Sequence, residues 1–283
     1  MSVIRVGNVK KYYDGAKGVE NLSFEVEGGE IYGFLGPNGA GKTTTIKILV
    51  KIIKDYEGKV EVFDRNLKEW GKDYYQKIGV SFEFPAIYSK LTALENLEFF
   101  ASFYRKHLKP AEVIKMVGLG KEEDRLAAEF SKGMRKKLDL ARALLPDPEI
   151  LFLDEPLEGL DPGSARKIKD LLLEMKDNGK TIFLTTHNMY VADELCDRAG
   201  FIVEGAVRLV DNPKELKVKM GKRLVKVEYS AGGGIGMNEF PIEELGHNEE
   251  FLNVLRNHEI KRINTEEPTL EEIFLKVTGR RLV

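Results

Sequence analysis

The chain has 283 residues, 44 Lys+Arg against 46 Asp+Glu, and a formal net charge of −2. That length can bury a sizeable core as one large domain or two unequal ones, and the balanced charge argues against gripping a nucleic-acid backbone as the main role. The single cysteine, Cys196, excludes an internal disulfide framework, and neither the first residues nor runs such as Ile150 to Leu153 have the length or pattern of a signal peptide or a bilayer span.

The expectation at this level is a soluble, cytoplasmic globular protein. Charged residues reach 32%, and Gln76 is the lone glutamine. That pattern is thermophile-like, with ordinary compositional drift as the alternative. A melting midpoint in the mesophile range decides for drift.

In chain order, Val3, Arg5 and Val6 begin one strand, and Leu22, Phe24 and Val26 alternate with polar residues in another. Gly28-Gly29 turns into a short buried strand, Ile31 to Leu35. A glycine-rich loop follows, then a helix whose face carries Ile46, Leu49, Val50 and Ile53. Residues 59–63 and 78–82 read as strands, and Thr92 to about Leu145 is mostly helical up to Pro146 and Pro148. Ile150 to Leu153 is a buried strand. Ile168, Leu171, Leu172 and Met175 mark a helix that ends at Asn178-Gly179. Thr181 to Thr185 is a strand and Met189 to Cys196 a helix. Strands alternating with helices imply a mainly parallel sheet. Composition shifts after about Lys219: Leu224 to Tyr229 alternates as a strand, Ala231 to Gly236 is a flexible turn or loop, and Thr269-x-x-Glu272 caps a final helix.

The chemistry concentrates at two places. Gly36-Pro37-Asn38-Gly39-Ala40-Gly41-Lys42-Thr43 fits G-x-x-x-x-G-K-[ST] between a predicted strand and a predicted helix. In that setting backbone N–H groups and a helix N-terminus converge on one anion. Lys42 can then reach the β- and γ-phosphates, and the Thr43 hydroxyl can ligate Mg²⁺. The strand Ile150 to Leu153 ends in Asp154-Glu155-Pro156. Adjacent side chains on a strand point apart, so Asp154 can face Mg²⁺ while Glu155 orients or deprotonates water. A chance glycine turn and a solvated strand end are the plain alternatives. The two features in one chain weigh against both, because parallel α/β sheets bind ligands at such strand ends.

Three further pieces set the class: Phe130-Ser131-Lys132-Gly133-Met134 before a helix, Gly159-Leu160-Asp161-Pro162 after the carboxylates, and His187 after the strand Thr181 to Thr185. In this order the chain, from about Val3 to Leu216, resembles the ATP-binding subunit of an ABC transporter. Leu195-Cys196-Asp197-Arg198 and the ending Pro268 to Lys276 resemble the subgroup that powers ABC-2 type exporters of drugs, antibiotics or lipids. The resemblance implies an α/β P-loop NTPase (RecA-like) core with an antiparallel β subdomain and a helical signature subdomain at about 88–148. The composition shift after about Lys219 puts the ATPase at 1–220 and a small C-terminal α+β appendage, for dimer contact or regulation, at 221–283.

The resemblance also implies roles. Tyr13 resembles the aromatic that stacks on adenine, with Tyr12 as the rival. Residues 36–43, followed by Thr44, resemble the Walker A loop, and Asp154 and Glu155 the Walker B pair. Ser131, Lys132, Gly133 and Met134 occupy the signature motif, which touches the ATP of a second subunit. Asp161 resembles the D-loop aspartate and His187 the switch histidine. Two departures stand out: Glu83 sits where the family has its Q-loop glutamine, and the signature reads Phe-Ser-Lys-Gly-Met rather than Leu-Ser-Gly-Gly-Gln. A carboxylate at Glu83 can still reach Mg²⁺ or its water.

The implied machine is a head-to-tail homodimer or heterodimer. It binds ATP and Mg²⁺, peripheral on the inner face of the cell membrane, and drives an integral membrane permease. Phe84, Pro85, Ile87, Tyr88 and Leu91 either form a groove for a partner helix or pack on the helical subdomain. The rival readings are a non-transport ABC ATPase in translation or DNA repair, and a nucleotide-dependent regulator. One phosphate loop without sustained heptads weighs against the first, and the intact Asp154, Glu155 and His187 against the second.

Overall fold

The computed structural model describes residues 1–13, 15–220, 224–266 and 268–280. The chain divides into two compact units, Met1–Asn212 and Pro213–Arg280.

In the first unit, β1 (Ser2–Tyr13) and β2 (Ala16–Glu27) form an antiparallel hairpin, followed by β3 (Ile31–Leu35), α1 (Lys42–Leu49), β4 (Glu57–Val62) and the short β5 (Arg65–Asn66). β6 (Ile78–Ser81) leads into α2 (Ala93–Ala101), α3 (Pro110–Met116) and α4 (Lys132–Leu144). Then come β7 (Ile150–Asp154), α5 (Pro162–Asp177), β8 (Thr181–Thr186), α6 (Met189–Leu195), β9 (Arg198–Val203) and β10 (Ala206–Asp211).

These strands make two sheets. One is antiparallel, in the order β2-β1-β4-β5, and the other runs β10-β9-β3-β8-β7-β6. All neighbours in the second sheet are parallel except β10 and β9. Every residue of β3, β7 and β8 is buried. That burial explains why they read as unbroken apolar runs, as strands covered on both faces do. One apolar cluster joins the two sheets. Val6 and Phe24 from the antiparallel sheet meet Tyr32, Phe34, Phe152 and Phe183 from the parallel one, and the Phe24 and Tyr32 rings stack at 5.7 Å.

The helix after the phosphate loop is shorter than its apolar spacing predicts. It ends at Leu49, and Lys51 takes a left-handed φ of 61°. Ile53 still packs on the core, but from the following turn. Between β6 and β7, α2 begins with a capping box in which Thr92 and Glu95 exchange bonds of 3.1 and 2.8 Å. The Asn96 side chain pins the preceding loop through Tyr88 N and the carbonyls of Tyr88, Leu91 and Thr92. Tyr88 packs edge-on against Phe99 at 4.9 Å, whereas Phe84 is 79% exposed.

The second unit contains α7 (Pro213–Met220), β11 (Leu224–Ala231), β12 (Gly234–Pro241), α8 (Glu249–Asn257), β13 (Ile260–Glu266) and α9 (Leu270–Thr278). Its sheet is antiparallel, in the order β12-β11-β13. Phe251 and Val254 of α8 pack on Val225, Val227 and Phe240. The glycine cluster is structured rather than a free loop. Gly232 and Gly233, with φ of 53° and 97°, make a two-residue hairpin turn, and Gly234 and Gly236 lie within β12. The Thr269–Glu272 capping box forms as the spacing predicts. α7 packs against α9 and so belongs to this unit, which begins at Pro213 and not at the composition shift near 220. Residues 221–223, next to that expected junction, lie outside the described residues. Among the described residues no helix is long and apolar enough to cross a membrane.

Candidate active site

The carboxyl ends of β3, β7 and β8 converge on a cavity of about 610 Å³. β3 delivers the glycine-rich loop, and α1 starts at Lys42. Gly41 takes a φ of 107°, and a Cβ there would stand 2.7 Å from the Gly18 carbonyl, so the last turn before the helix admits only glycine. Lys42 is buried. Its ammonium donates to Gly36 O at 2.7 Å and Pro37 O at 3.4 Å, and lies 3.4 Å from Glu155 Oε1.

The acids at the end of β7 separate as strand alternation requires. Thr43 Oγ1 donates to Asp154 Oδ2 at 2.8 Å, and Thr185 Oγ1 donates to Asp154 Oδ1. Glu155 turns the other way. It adopts a left-handed φ of 48°, a conformation that costs a non-glycine residue about 1–3 kcal/mol. The turn aims its carboxylate between Lys42 and His187, whose Nδ1 lies 2.9 Å from Glu155 Oε1. A proton on Nδ1 donates to that carboxylate and fixes the tautomer.

Of the residues singled out in the sequence, Tyr13, Pro37, Asn38, Gly39, Gly41, Lys42, Thr43, Thr44, Glu83, Asp154, Glu155 and His187 line this cavity. Gly36 and Ala40 lie within the loop, with Ala40 buried. Tyr13, rather than Tyr12, faces the cavity. Tyr13 OH is 3.5 Å from Thr44 Oγ1, while Tyr12 donates to Glu20 at 2.6 Å. The Tyr13 ring lies against the Cα of Gly18, where a Cβ would come within 2.8 Å of it, and Lys11 Nζ sits 5.3 Å from the ring centroid.

The signature residues and Asp161 do not line the cavity. Ser131 caps α4 by accepting from Met134 N at 3.2 Å, and Lys132 pairs with Glu158 at 3.4 Å. Gly133 sits beside the backbone of Gly159 and Leu160, and Asp161 caps α5 through Ser164 N at 2.9 Å. Ser131 and Lys132 are exposed.

Among the described residues no ready-made cluster of three or more metal-binding His, Cys, Asp or Glu side chains occurs. The donor set beside the loop nevertheless suits a hard cation, because Thr43 hydroxyl and Asp154 carboxylate oxygens meet at 2.8 Å and Glu83 lines the same cavity.

The ABC transporter family profile matches residues 19–158. A fluoroquinolones export ATP-binding protein of Mycobacterium tuberculosis is 48% identical over 284 residues, covering 99% of this chain and 94% of the relative. This chain belongs to the ABC transporter ATP-binding proteins. The bacitracin transport ATP-binding protein of Bacillus licheniformis is 39% identical, over 81% of this chain and 76% of the relative. A fluoroquinolone efflux ABC transporter C-terminal domain profile matches residues 223–267. Among solved structures, an ATP-binding cassette captured as a post-hydrolysis dimer with ADP and Pi superposes with a TM-score of 0.69 at 27% identity, covering 74% of this chain and 98% of that one. This ABC ATPase therefore binds and hydrolyses ATP.

Several residues in and around this cavity escape a reading by motif. Lys17, Gly18 and Glu158 line the cavity. Thr185 reaches Asp154 because β7 and β8 pair in a register that sets the two residues side by side. Buried Lys136 lies in the basic run Arg135-Lys136-Lys137, which looks like a solvated face. Its signal was helical phase, since Lys136, Leu140 and Ala143 share one buried face of α4.

Proposed function

We propose that this ATPase subunit powers export of drug-like molecules through a separate membrane permease. In this reading two ATPase subunits act head to tail, peripheral to the membrane on the side that holds ATP. The observation that carries the catalytic part is the placement of one Glu155 oxygen 3.4 Å from the Lys42 ammonium and 2.9 Å from His187 Nδ1, at the mouth of the phosphate loop. Lys42 and the loop N–H groups neutralise the β- and γ-phosphates. Glu155 accepts a proton from the attacking water, and His187 steadies the Glu155 carboxylate and contacts the γ-phosphate. Thr43, Asp154 and Glu83 would hold Mg²⁺, which supplies charge neutralisation on the phosphate oxygens. Tyr13 stacks on adenine. Ser131, Lys132, Gly133, Met134 and Asp161 act across the dimer, at the partner's nucleotide.

Support for the export reading comes from the relatives, whose names include fluoroquinolones export and bacitracin transport. Exposed Phe84, beside Glu83, suits contact with an apolar permease helix. The test is co-purification. Recovery with a polytopic membrane protein and ATP-dependent drug efflux from vesicles support the reading. Recovery with ribosomes overturns it.

A further inference from the structure

The sharp left-handed turn at Glu155 needs its preceding peptide unit held in one orientation. The N–H end of that unit, Glu155 N, donates to Thr185 O at 3.1 Å. The carbonyl end, Asp154 O, accepts from Lys136 Nζ at 3.0 Å. Lys136 is only 4% exposed, and burial lowers the pKa of its ammonium. An ammonium has three protons to donate, and the other two acceptors here are Phe82 O at 3.0 Å and Glu83 O at 3.3 Å. Backbone carbonyls from two segments thus share one buried cation that belongs to neither. One segment follows β6 and carries Glu83, and the other ends β7 and carries Asp154 and Glu155. The cation is on α4, one turn beyond the Ser131 cap.

We propose that Lys136 is a positioning residue for catalysis: by fixing the Asp154–Glu155 peptide plane and the Glu83 backbone, it aims the Glu155 carboxylate at the attacking water. This inference rests on the reading of Glu155 as the base. A buried lysine has a costly desolvation to offset. An apolar side chain of the same length would fill the space more simply if packing were its only task. The three carbonyls give the charge a task, because all three lie on the segments that carry the reacting or metal-facing side chains. With Lys136 gone, the 154–155 peptide unit keeps only the Thr185 end of its anchorage, and Glu155 can relax toward ordinary backbone angles.

The test compares Lys136→Met and Lys136→Arg with wild type, alone and in a Glu155→Gln background, by steady-state phosphate release and fluorescent-nucleotide binding. The expected result for Lys136→Met is a kcat about 10- to 100-fold lower, with KM and nucleotide affinity within about twofold. Lys136→Arg, which keeps a cationic donor, recovers part of kcat. In the Glu155→Gln background Lys136→Met produces no further loss, because both changes remove the same function. A purely structural role gives a different set: a lower Tm, turnover reduced in proportion to the folded fraction, and the same fold-loss in both backgrounds. That set overturns the proposal, as does wild-type kcat in Lys136→Met. If Lys136→Met does not fold, Lys136→Gln takes its place with the same expected non-additivity. A Glu155→Gln variant that hydrolyses ATP at the wild-type rate defeats the reading of Glu155 instead, and so separates that failure from a failure of Lys136.

Discussion

The phosphate-loop region and the signature stretch treat their polar groups in opposite ways. Lys42, Asp154 and Glu155 are buried, and each has named partners within the same chain: carbonyls, threonine hydroxyls and a histidine. Ser131 and Lys132 are exposed, Ser131 serving as a helix cap and Lys132 forming an ion pair with Glu158. Buried charges are affordable only when paired. The first region is therefore organised by the chain's own contacts, and changes there should act on chemistry. The second presents its groups outward, which is what a surface meant for another molecule requires. Changes there should act on assembly.

The largest expected effect breaks the organised side. Lys42→Ala should lower ATP turnover about a thousandfold or more, read as phosphate release; turnover near wild type would refute the assignment of the phosphate loop. Glu155→Gln comes next, with a loss of about 10²- to 10⁴-fold. Because binding groups remain, gel filtration with ATP should show a stabilised dimer, and a monomer under those conditions would count against the two-subunit reading. On the outward side, Ser131→Arg should cost at least about tenfold in turnover while leaving nucleotide binding to the single subunit unchanged. An equal loss of binding would erase the contrast between the two regions.

Smaller effects sharpen it. Gly18→Ala puts a methyl 2.8 Å from the Tyr13 ring and displaces it. Nucleotide affinity should fall about fivefold, the scale of one aromatic stacking contact, with kcat preserved at saturating ATP. Thr269→Ala removes one half of the α9 capping box. It should lower stability by about 1 kcal/mol and leave turnover untouched; a change in kcat would tie the second unit to the catalytic cycle.

Much of the site was legible because its motifs are local. A strand, a glycine loop and a helix in succession already specify a phosphate cradle, and Asp154 and Glu155 reveal themselves by ending an apolar run. Thr185 was not legible, since only the β7–β8 register brings it to Asp154. The strands β9 and β10 and most of the second unit were also missed. β10 is nowhere fully buried, and β12 alternates in burial with Gly236 and Asn238 on its inner face while Ile235 and Met237 are exposed, so neither reads as an apolar strand. The glycine cluster misled in another way: composition announced a turn but not that the turn would be two residues long and hydrogen-bonded into a hairpin.

By itself, then, the sequence determined the phosphate cradle, the carboxylate pair, the α/β alternation and the family, because each depends on residues adjacent in the chain or in a recurring order. The tertiary structure decided which tyrosine faces the cavity, that α7 belongs to the second unit, and that one lysine of a basic run is buried beneath the turn at Glu155. Those outcomes depend on which backbone carbonyls and strand ends come within about 3 Å of each other, the range of a hydrogen bond. Distance along the chain carries no record of that.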